Sequence, residues 1–304
     1  MRSATRPSRR QRQCVASAGG TAPAGTAGAA AFPFLAMSEL ARVNVLGVGV
    51  TPLDLPRAVD EIDRWIASGA RSYVNVCTVH TVMECRRAPR LRRVVNAGGM
   101  ATTDGMPLVW LSRLAGHRGA RRVYGPDLML AVCERGLARG TRHFLYGATE
   151  DVLADLAANL ERRFPGIALV GRHAPPFRPP DAPEDPEVLA AIDAARPDVV
   201  WVGLGTPKQD YWVARHRTAL RHPAALVAVG AAFDFHAGRL PQAPRWMQAA
   251  GLEWLFRLAA EPRRLAYRYL VYNPLFVLLV ALQKLGIRRY PFEREAANES
   301  TARR

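Results

Sequence analysis

A chain of 304 residues with 49% hydrophobic and 22% charged side chains has enough apolar content for one large or two modest domains, which excludes a fibrous or wholly disordered protein. Its 42 Lys and Arg against 26 Asp and Glu leave a net charge of +16, which favours an anionic partner, either nucleic acid or an anionic membrane surface. Cys14, Cys77, Cys85 and Cys133 form no C-x-x-C pair and no Cys/His cluster at zinc spacing, so neither a disulfide framework nor a structural metal is indicated and the thiols read as those of a cytoplasmic protein.

In chain order, residues 1–38 carry five Arg and no acid and run into Ala/Gly/Thr/Pro repeats. Without apolar periodicity they are expected to be disordered, and they lack the apolar stretch of a signal peptide; Met37 offers an alternative start. An α/β core is expected over 39–250. VNVLGVGV (43–50) reads as one strand, and Leu55, Val59, Ile62 and Ile66 set a helix over Leu55–Ala67. Further buried strands are expected at Tyr73–Cys77, His143–Tyr146, Ala168–Gly171, Asp198–Gly203 and Ala225–Val229, most followed by helical segments. That alternation implies a mostly parallel sheet, whose ligands bind beyond the carboxyl ends of its strands. The Pro-rich stretch 173–187 reads as a surface connection.

Residues 251–290 interleave aromatic and Leu positions with Arg257, Arg263, Arg264 and Arg268, the pattern of an amphipathic helical appendage, with a flexible tail at 291–304. The uninterrupted apolar run Leu275–Leu282 falls short of the about 20 residues a bilayer needs. Asn273-Pro274 in front of it and Lys284 behind it argue against extension, so an interfacial or docking segment is expected. The two ends hold most of the net charge.

Three turns after strands could carry chemistry. In Thr102-Thr103-Asp104-Gly105-Met106-Pro107 the tight turn presents Asp104 either as a general base or as the cap of the helix that follows. In Val202-Gly203-Leu204-Gly205-Thr206-Pro207-Lys208-Gln209 the glycines could bring backbone N–H groups to a diphosphate while Lys208 neutralises it, or form a plain strand-to-helix turn. In the stretch from Gly230 to Gly238, Asp234 and His236 could meet a sugar or ribose, or serve as turn and surface residues. There is no Ser/His/Asp or Cys/His nucleophile set, and no D-x-D of the kind that carries a divalent metal.

Over roughly 41–290, seven blocks in order resemble the WecG/TagA/CpsF glycosyltransferases of bacterial envelope polysaccharide and teichoic-acid synthesis. They are TDGMPLVW, RVYGPDL, FLYGATEDV, RFPGIALVG, IDAARPDVVWVGLGTPKQD, VGAAFDFHAGRLPQAPRWMQAAGLEWLFRLAAEPRRL and RYLVYNP. The resemblance implies inverting, metal-independent transfer of a hexosyl or N-acetylhexosaminyl group from a UDP-sugar to a polyprenyl-diphosphate-linked sugar. It implies no cofactor, a peripheral position on the cytoplasmic face of the membrane, and room for a homo-oligomer. It places the general base on Asp104 and substrate contacts on Thr78, Arg122, Gln209, Arg257 and Arg264, with Arg268 a looser match. The Gly-rich turns then give nucleotide contacts at Gly203, Gly205, Lys208, Gly230 and Asp234, in a Rossmann-like half over about 141–250. Two positions depart from the family pattern. Val76 and Thr78 stand where T-x-N is usual, with Asn75 as a substitute amide pointing elsewhere, and PKQD replaces PKQE, so Asp210 is one methylene shorter. A non-catalytic nucleic-acid-binding protein is the first alternative, resting on charge alone without a binding motif. The second, an NAD-type oxidoreductase, lacks G-x-G-x-x-G.

Overall fold

The structure, a computed structural model, describes residues 40–179 and 183–292, which belong to one compact unit. The expected disorder of residues 1–38, the alternative start at Met37, most of the expected tail and the middle of the Pro-rich connection lie outside the described residues.

The chain enters through an antiparallel hairpin, β1 (Val43–Val45) and β2 (Val48–Val50), in place of the single strand expected over 43–50. Leu46 and Gly47 turn the chain at φ +52° and +88°, and uniform apolar composition hid the break. Helix α1 (Leu55–Ser68) starts where Asp54 accepts from Arg57 N–H and stops at Gly69, whose φ of +68° ends the helix. Strand β3 (Ser72–Cys77) leads to α2 (Val79–Arg87), capped by a reciprocal Thr78–Thr81 box, and then to α3 (Pro89–Ala97). A four-residue strand, β4 (Met100–Thr103), follows, too short to show in the pattern.

Helices α4 (Met106–Leu114) and α5 (Gly125–Gly136) precede β5 (Arg142–Gly147), α6 (Glu150–Arg163) and β6 (Ala168–His173). Then come α7 (Pro186–Ala195), β7 (Val199–Gly203), α8 (Lys208–His216), β8 (Ala225–Ala228) and the short α9 (Ala232–His236). The strands β3 to β8 form one six-stranded sheet in the order β4-β3-β8-β7-β5-β6, parallel throughout, so all their carboxyl ends lie on one edge. The expected mostly parallel α/β architecture is therefore present.

Alternation along each strand sorts the core. Val74, Val76, Leu145, Trp201 and Val227 point to the face covered by α1, α5, α6 and α9, while Tyr73, Tyr146, Val200, Val202 and Leu226 point to α7 and α8. Gly147, at φ +125°, lies so close to β7 that a Cβ would stand 2.7 Å from the Gly203 backbone. A Cβ on Gly203 would in turn stand 2.6 Å from the Phe233 ring. These two glycines let adjacent strand ends and α9 close together at the carboxyl edge of the sheet.

After the short helix α10 (Arg245–Ala249), the stretch expected as an appendage over 251–290 holds α11 (Glu253–Ala260), α12 (Pro262–Leu270) and α13 (Tyr272–Lys284). Asn273-Pro274 does not interrupt it, because Pro274 falls in the first turn of α13, where no intrahelical N–H bond is lost. Tyr272, Phe276 and Leu279 are buried in a third cluster with the hairpin, α2, α3 and α4. Gln283 accepts from Leu46 N–H at 3.0 Å, and Asn44 donates to the Tyr290 carbonyl at 2.7 Å, fastening the appendage to the hairpin. By length and composition the helical stretch Pro262–Lys284 is long and apolar enough to cross a membrane, with 28% of its apolar window buried within the protein. At 23 residues it exceeds the uninterrupted apolar run Leu275–Leu282.

Candidate active site

Strands β3 and β4 are neighbours with Cys77 opposite Thr103, so the next residues, Thr78 and Asp104, leave the sheet side by side. Asp104 N–H donates to the Cys77 carbonyl at 3.0 Å, which fixes the turn. The cap of α4 is Gly105, with no side-chain cap bond, so the Asp104 carboxylate is not used to start that helix. It is 8% exposed and faces a cleft of about 380 Å³ between the sheet edge and the appendage.

Arg122 organises the floor of this cleft. Its Nε donates to the Asp104 carbonyl at 2.6 Å, Nη2 donates to Asp104 Oδ1 at 3.1 Å and to Glu253 Oε2 at 2.5 Å, and Nη1 donates to Gln248 Oε1 at 3.3 Å. The guanidinium carbon sits 3.9 Å from the centre of the Tyr124 ring, whose hydroxyl donates to Glu253 Oε1 at 3.1 Å. Asp104 Oδ2 has no partner among the described residues. Burial pushes the Asp104 carboxyl up to about 6, with Arg122 pulling against it and Glu253 adding to it. Burial also works against the charge of Arg122, yet Asp104 and Glu253 outweigh it and hold the guanidinium firmly protonated. The result is a carboxylate that changes charge just below neutrality, anchored through one oxygen and free at the other.

Thr78, Asp104, Arg122 and Arg257 of the expected site residues line this cleft together. Thr78 also spends its hydroxyl on the α2 cap. Asn75 does not reach the cleft: its Nδ2 donates to Asp210 Oδ1 at 2.8 Å beneath α8. Arg264 is paired with Glu261 on the outer side of α12, more than half exposed. Asp234 is half-buried, its carboxyl raised by burial and opposed by Arg264, and its carbonyl accepts from Arg239 and Leu240 N–H groups. His236 meets the Pro126 carbonyl at 3.0 Å.

The glycine-rich turns lie on the same sheet edge, at β7 and β8, within three strand spacings of Asp104, or about 15 Å. Gln209 is buried there; its Oε1 accepts from Gly205 N–H at 3.0 Å and lies against Gly230, where a Cβ would come within 3.3 Å of it. Gly205 and Gly230 have φ of +75° and +55°. Gly203 and Lys208 border a second cavity of about 330 Å³ beneath the Pro-rich connection, and the Lys208 ammonium lies 3.5 Å from the centre of the exposed Phe177 ring.

Tyr124, Gln248, Glu253 and His80 line the cleft without having been singled out in the sequence. Glu253 had one signal available, as an acid in a basic, aromatic segment; Tyr124 and Gln248 had none. Among the described residues no group of three His, Cys, Asp or Glu side chains is placed to hold a metal ion.

The family model of the Glycosyl transferase WecG/TagA/CpsF family matches residues 43–290. The chain is 30% identical over 197 residues to an N-acetylglucosaminyldiphosphoundecaprenol N-acetyl-beta-D-mannosaminyltransferase of Bacillus spizizenii, an alignment covering 65% of this chain and 74% of that protein. It is 24% identical over 254 residues to a Staphylococcus aureus protein of the same name, covering 83% of this chain and 97% of that one.

Proposed function

Because the chain belongs to the WecG/TagA/CpsF family and is a glycosyltransferase, we propose that it moves an N-acetylhexosaminyl group, N-acetylmannosamine first among them, from a UDP-sugar to a polyprenyl-diphosphate-linked sugar. The observation that carries the mechanism is the buried Asp104 carboxylate at the sheet edge, anchored by Arg122 and titrating at about 6. The relatives' names support the acceptor class and the donor sugar.

In this reading the acceptor sugar hydroxyl approaches Asp104 Oδ2, which takes its proton as the oxygen attacks the anomeric carbon. The new C–O bond forms on the face opposite the departing UDP, so the configuration inverts. Base catalysis of this kind contributes roughly 10²–10⁴ in rate. The negative charge growing on the diphosphate is met by arginine side chains and backbone N–H groups with no metal required. The glycine turns at Gly203, Gly205 and Gly230, with Lys208 and Asp234, would hold the nucleotide, and Gln209 would support that loop. Arg264 would meet lipid phosphate from outside the cleft.

The appendage supplies the other wall of the cleft, and its exposed Tyr267, Leu270, Val277 and Leu278 stand among Arg263, Arg264 and Lys284, which supports seating on the cytoplasmic leaflet. The test is UDP release from a panel of UDP-sugars with a polyprenyl-diphosphate-sugar acceptor in liposomes. Acceptor-dependent release that disappears in Asp104→Asn is expected. Release that persists in that variant at the parent rate would remove Asp104 as the base.

A further inference from the structure

Beneath the glycine-rich turn that follows β7 lies a buried polar pair that the proposed chemistry leaves unused. Asp210, in the first turn of α8, and Asn75, within β3, are both fully buried. Asn75 Nδ2 donates to Asp210 Oδ1 at 2.8 Å, and the Thr206 hydroxyl donates to the same carboxylate. Asp210 Oδ2 and Asn75 Oδ1 have no partner among the described residues. Burial raises the Asp210 carboxyl to about 6, although Asn75 and Thr206 both pull it down. Such a group weakens the fold at neutral pH, and side chains kept at a cost in stability are expected where function needs them.

Its place says what it could do. Gln209, the residue before Asp210, accepts from Gly205 N–H at 3.0 Å, and its own N–H donates to the Gly205 carbonyl at 3.0 Å. The turn is thus tied at Gly205 by Gln209 and at Thr206 by Asp210. A Cβ on Gly205 would meet nothing within 4 Å, so at that point the turn is held by these polar ties and not by packing. On the other side, Asn75 lies on the strand that ends at Cys77, opposite Thr103 and so next to Asp104. The buried Cys77 thiol reports this proximity, since it is pushed up by burial, then by Asp210 and then by Asp104. The Asn75–Asp210 bond therefore joins the strand beside the proposed base to the turn proposed to hold the nucleotide.

A loop that is already fixed in its bound shape loses its freedom on folding and not on binding, which favours affinity. Resting on the transferase reading above, we propose that Asp210 is a positioning residue for the nucleotide: anchored by Asn75, it holds Thr206 and so presets the glycine-rich turn for the UDP end of the donor. It touches neither substrate and acts through the turn alone.

The experiment compares variants of the full chain with the parent by calorimetric titration with UDP and by donor and acceptor KM in the liposome assay, with melting curves to confirm folding. Asp210→Ala and Asn75→Ala are each expected to weaken UDP about tenfold and to raise the donor KM in step. The double variant loses little more than either alone, because the two side chains act as one unit. The acceptor KM stays within twofold of the parent, and the pH midpoint of turnover does not move, since Asp104 keeps its surroundings. Thr206→Val keeps the shape of a half-buried side chain and weakens UDP about three- to tenfold, and it decides the matter if Asp210→Ala does not fold. Asp210→Asn, which keeps an oxygen for Asn75 and Thr206, is expected to bind UDP within threefold of the parent. UDP affinities within twofold of the parent in the folded alanine and valine variants refute the positioning role and leave the transferase reading standing. So does a loss in Asp210→Asn equal to that in Asp210→Ala, or a rise of donor and acceptor KM together. A parent protein that binds no UDP overturns both.

Discussion

At the scale of single residues, the proposed role of Asp104 as base carries a pH dependence that its surroundings set. A base must be ionised to accept a proton, so with its carboxyl raised to about 6 the turnover is expected to rise tenfold per pH unit below that value and to level above it. A rate profile between pH 4.5 and 8.5 checks this, and a profile flat down to pH 5 would contradict it. Asp104→Asn should lower turnover by at least about 10² while UDP-sugar affinity, read by calorimetry, stays near the parent value. Asp210 carries a similar shift without being in the cleft. It is fully buried in the first turn of α8, and burial raises it to about 6 against the bond from Asn75. Its folded pKa lies above its unfolded one, so its contribution to stability is present below about pH 4 and is lost as pH rises through 6. Asp210→Asn is therefore expected to stabilise the protein at pH 7 by roughly 2–3 kcal/mol, and urea melts at pH 7 and pH 4 should show that gain shrinking at the lower pH.

At the scale of elements, the cleft depends on where strands stop. Thr78 ends β3 and opens α2, so Thr78→Ala removes the capping box at a cost of about 1 kcal/mol and loosens the helix that carries His80. Gly147→Ala is expected to be harsher, more than about 3 kcal/mol, since its φ of +125° and the 2.7 Å approach to Gly203 leave no room for a methyl group. Chemical denaturation measures both. The elements also show what the sequence could disclose. The runs Tyr73–Cys77 and Asp198–Gly203 were legible because strands buried on both faces are mostly apolar, and the structure has strands at Ser72–Cys77 and Val199–Gly203. The same uniformity concealed the turn at Leu46–Gly47, and Met100–Thr103 was too short to stand out. Asp104 and Arg122 were legible through the family's ordered blocks. Glu253 and Tyr124, which complete the arginine's surroundings, come from segments 129 residues apart, and no local pattern records such a meeting.

At the scale of the whole molecule, α10 to α13 form a wall of the cleft, and α13 also covers the hairpin cluster. If this wall seats on an anionic leaflet, replacing Arg263, Arg264, Lys284, Arg288 and Arg289 together with Gln should cut sedimentation with phosphatidylglycerol vesicles at least tenfold, at about 1 kcal/mol per charge near the surface. Added salt should weaken the parent in the same direction. Equal binding of both proteins at low salt would dismiss a basic docking surface.

The sheet order has a further consequence, for the time course of synthesis. Strand β8 lies between β3 and β7, and among the described residues β3 is joined to β7 only through it. A nascent chain can therefore join its two sets of strands only after residue 228 has left the ribosome. The contacts of Leu46 with Gln283 and Asn44 with Tyr290 close later still. Pairings this distant in sequence form slowly. Until then Asp104 has neither Glu253 nor Arg268 across from it, so the complete cleft is one of the final products of folding.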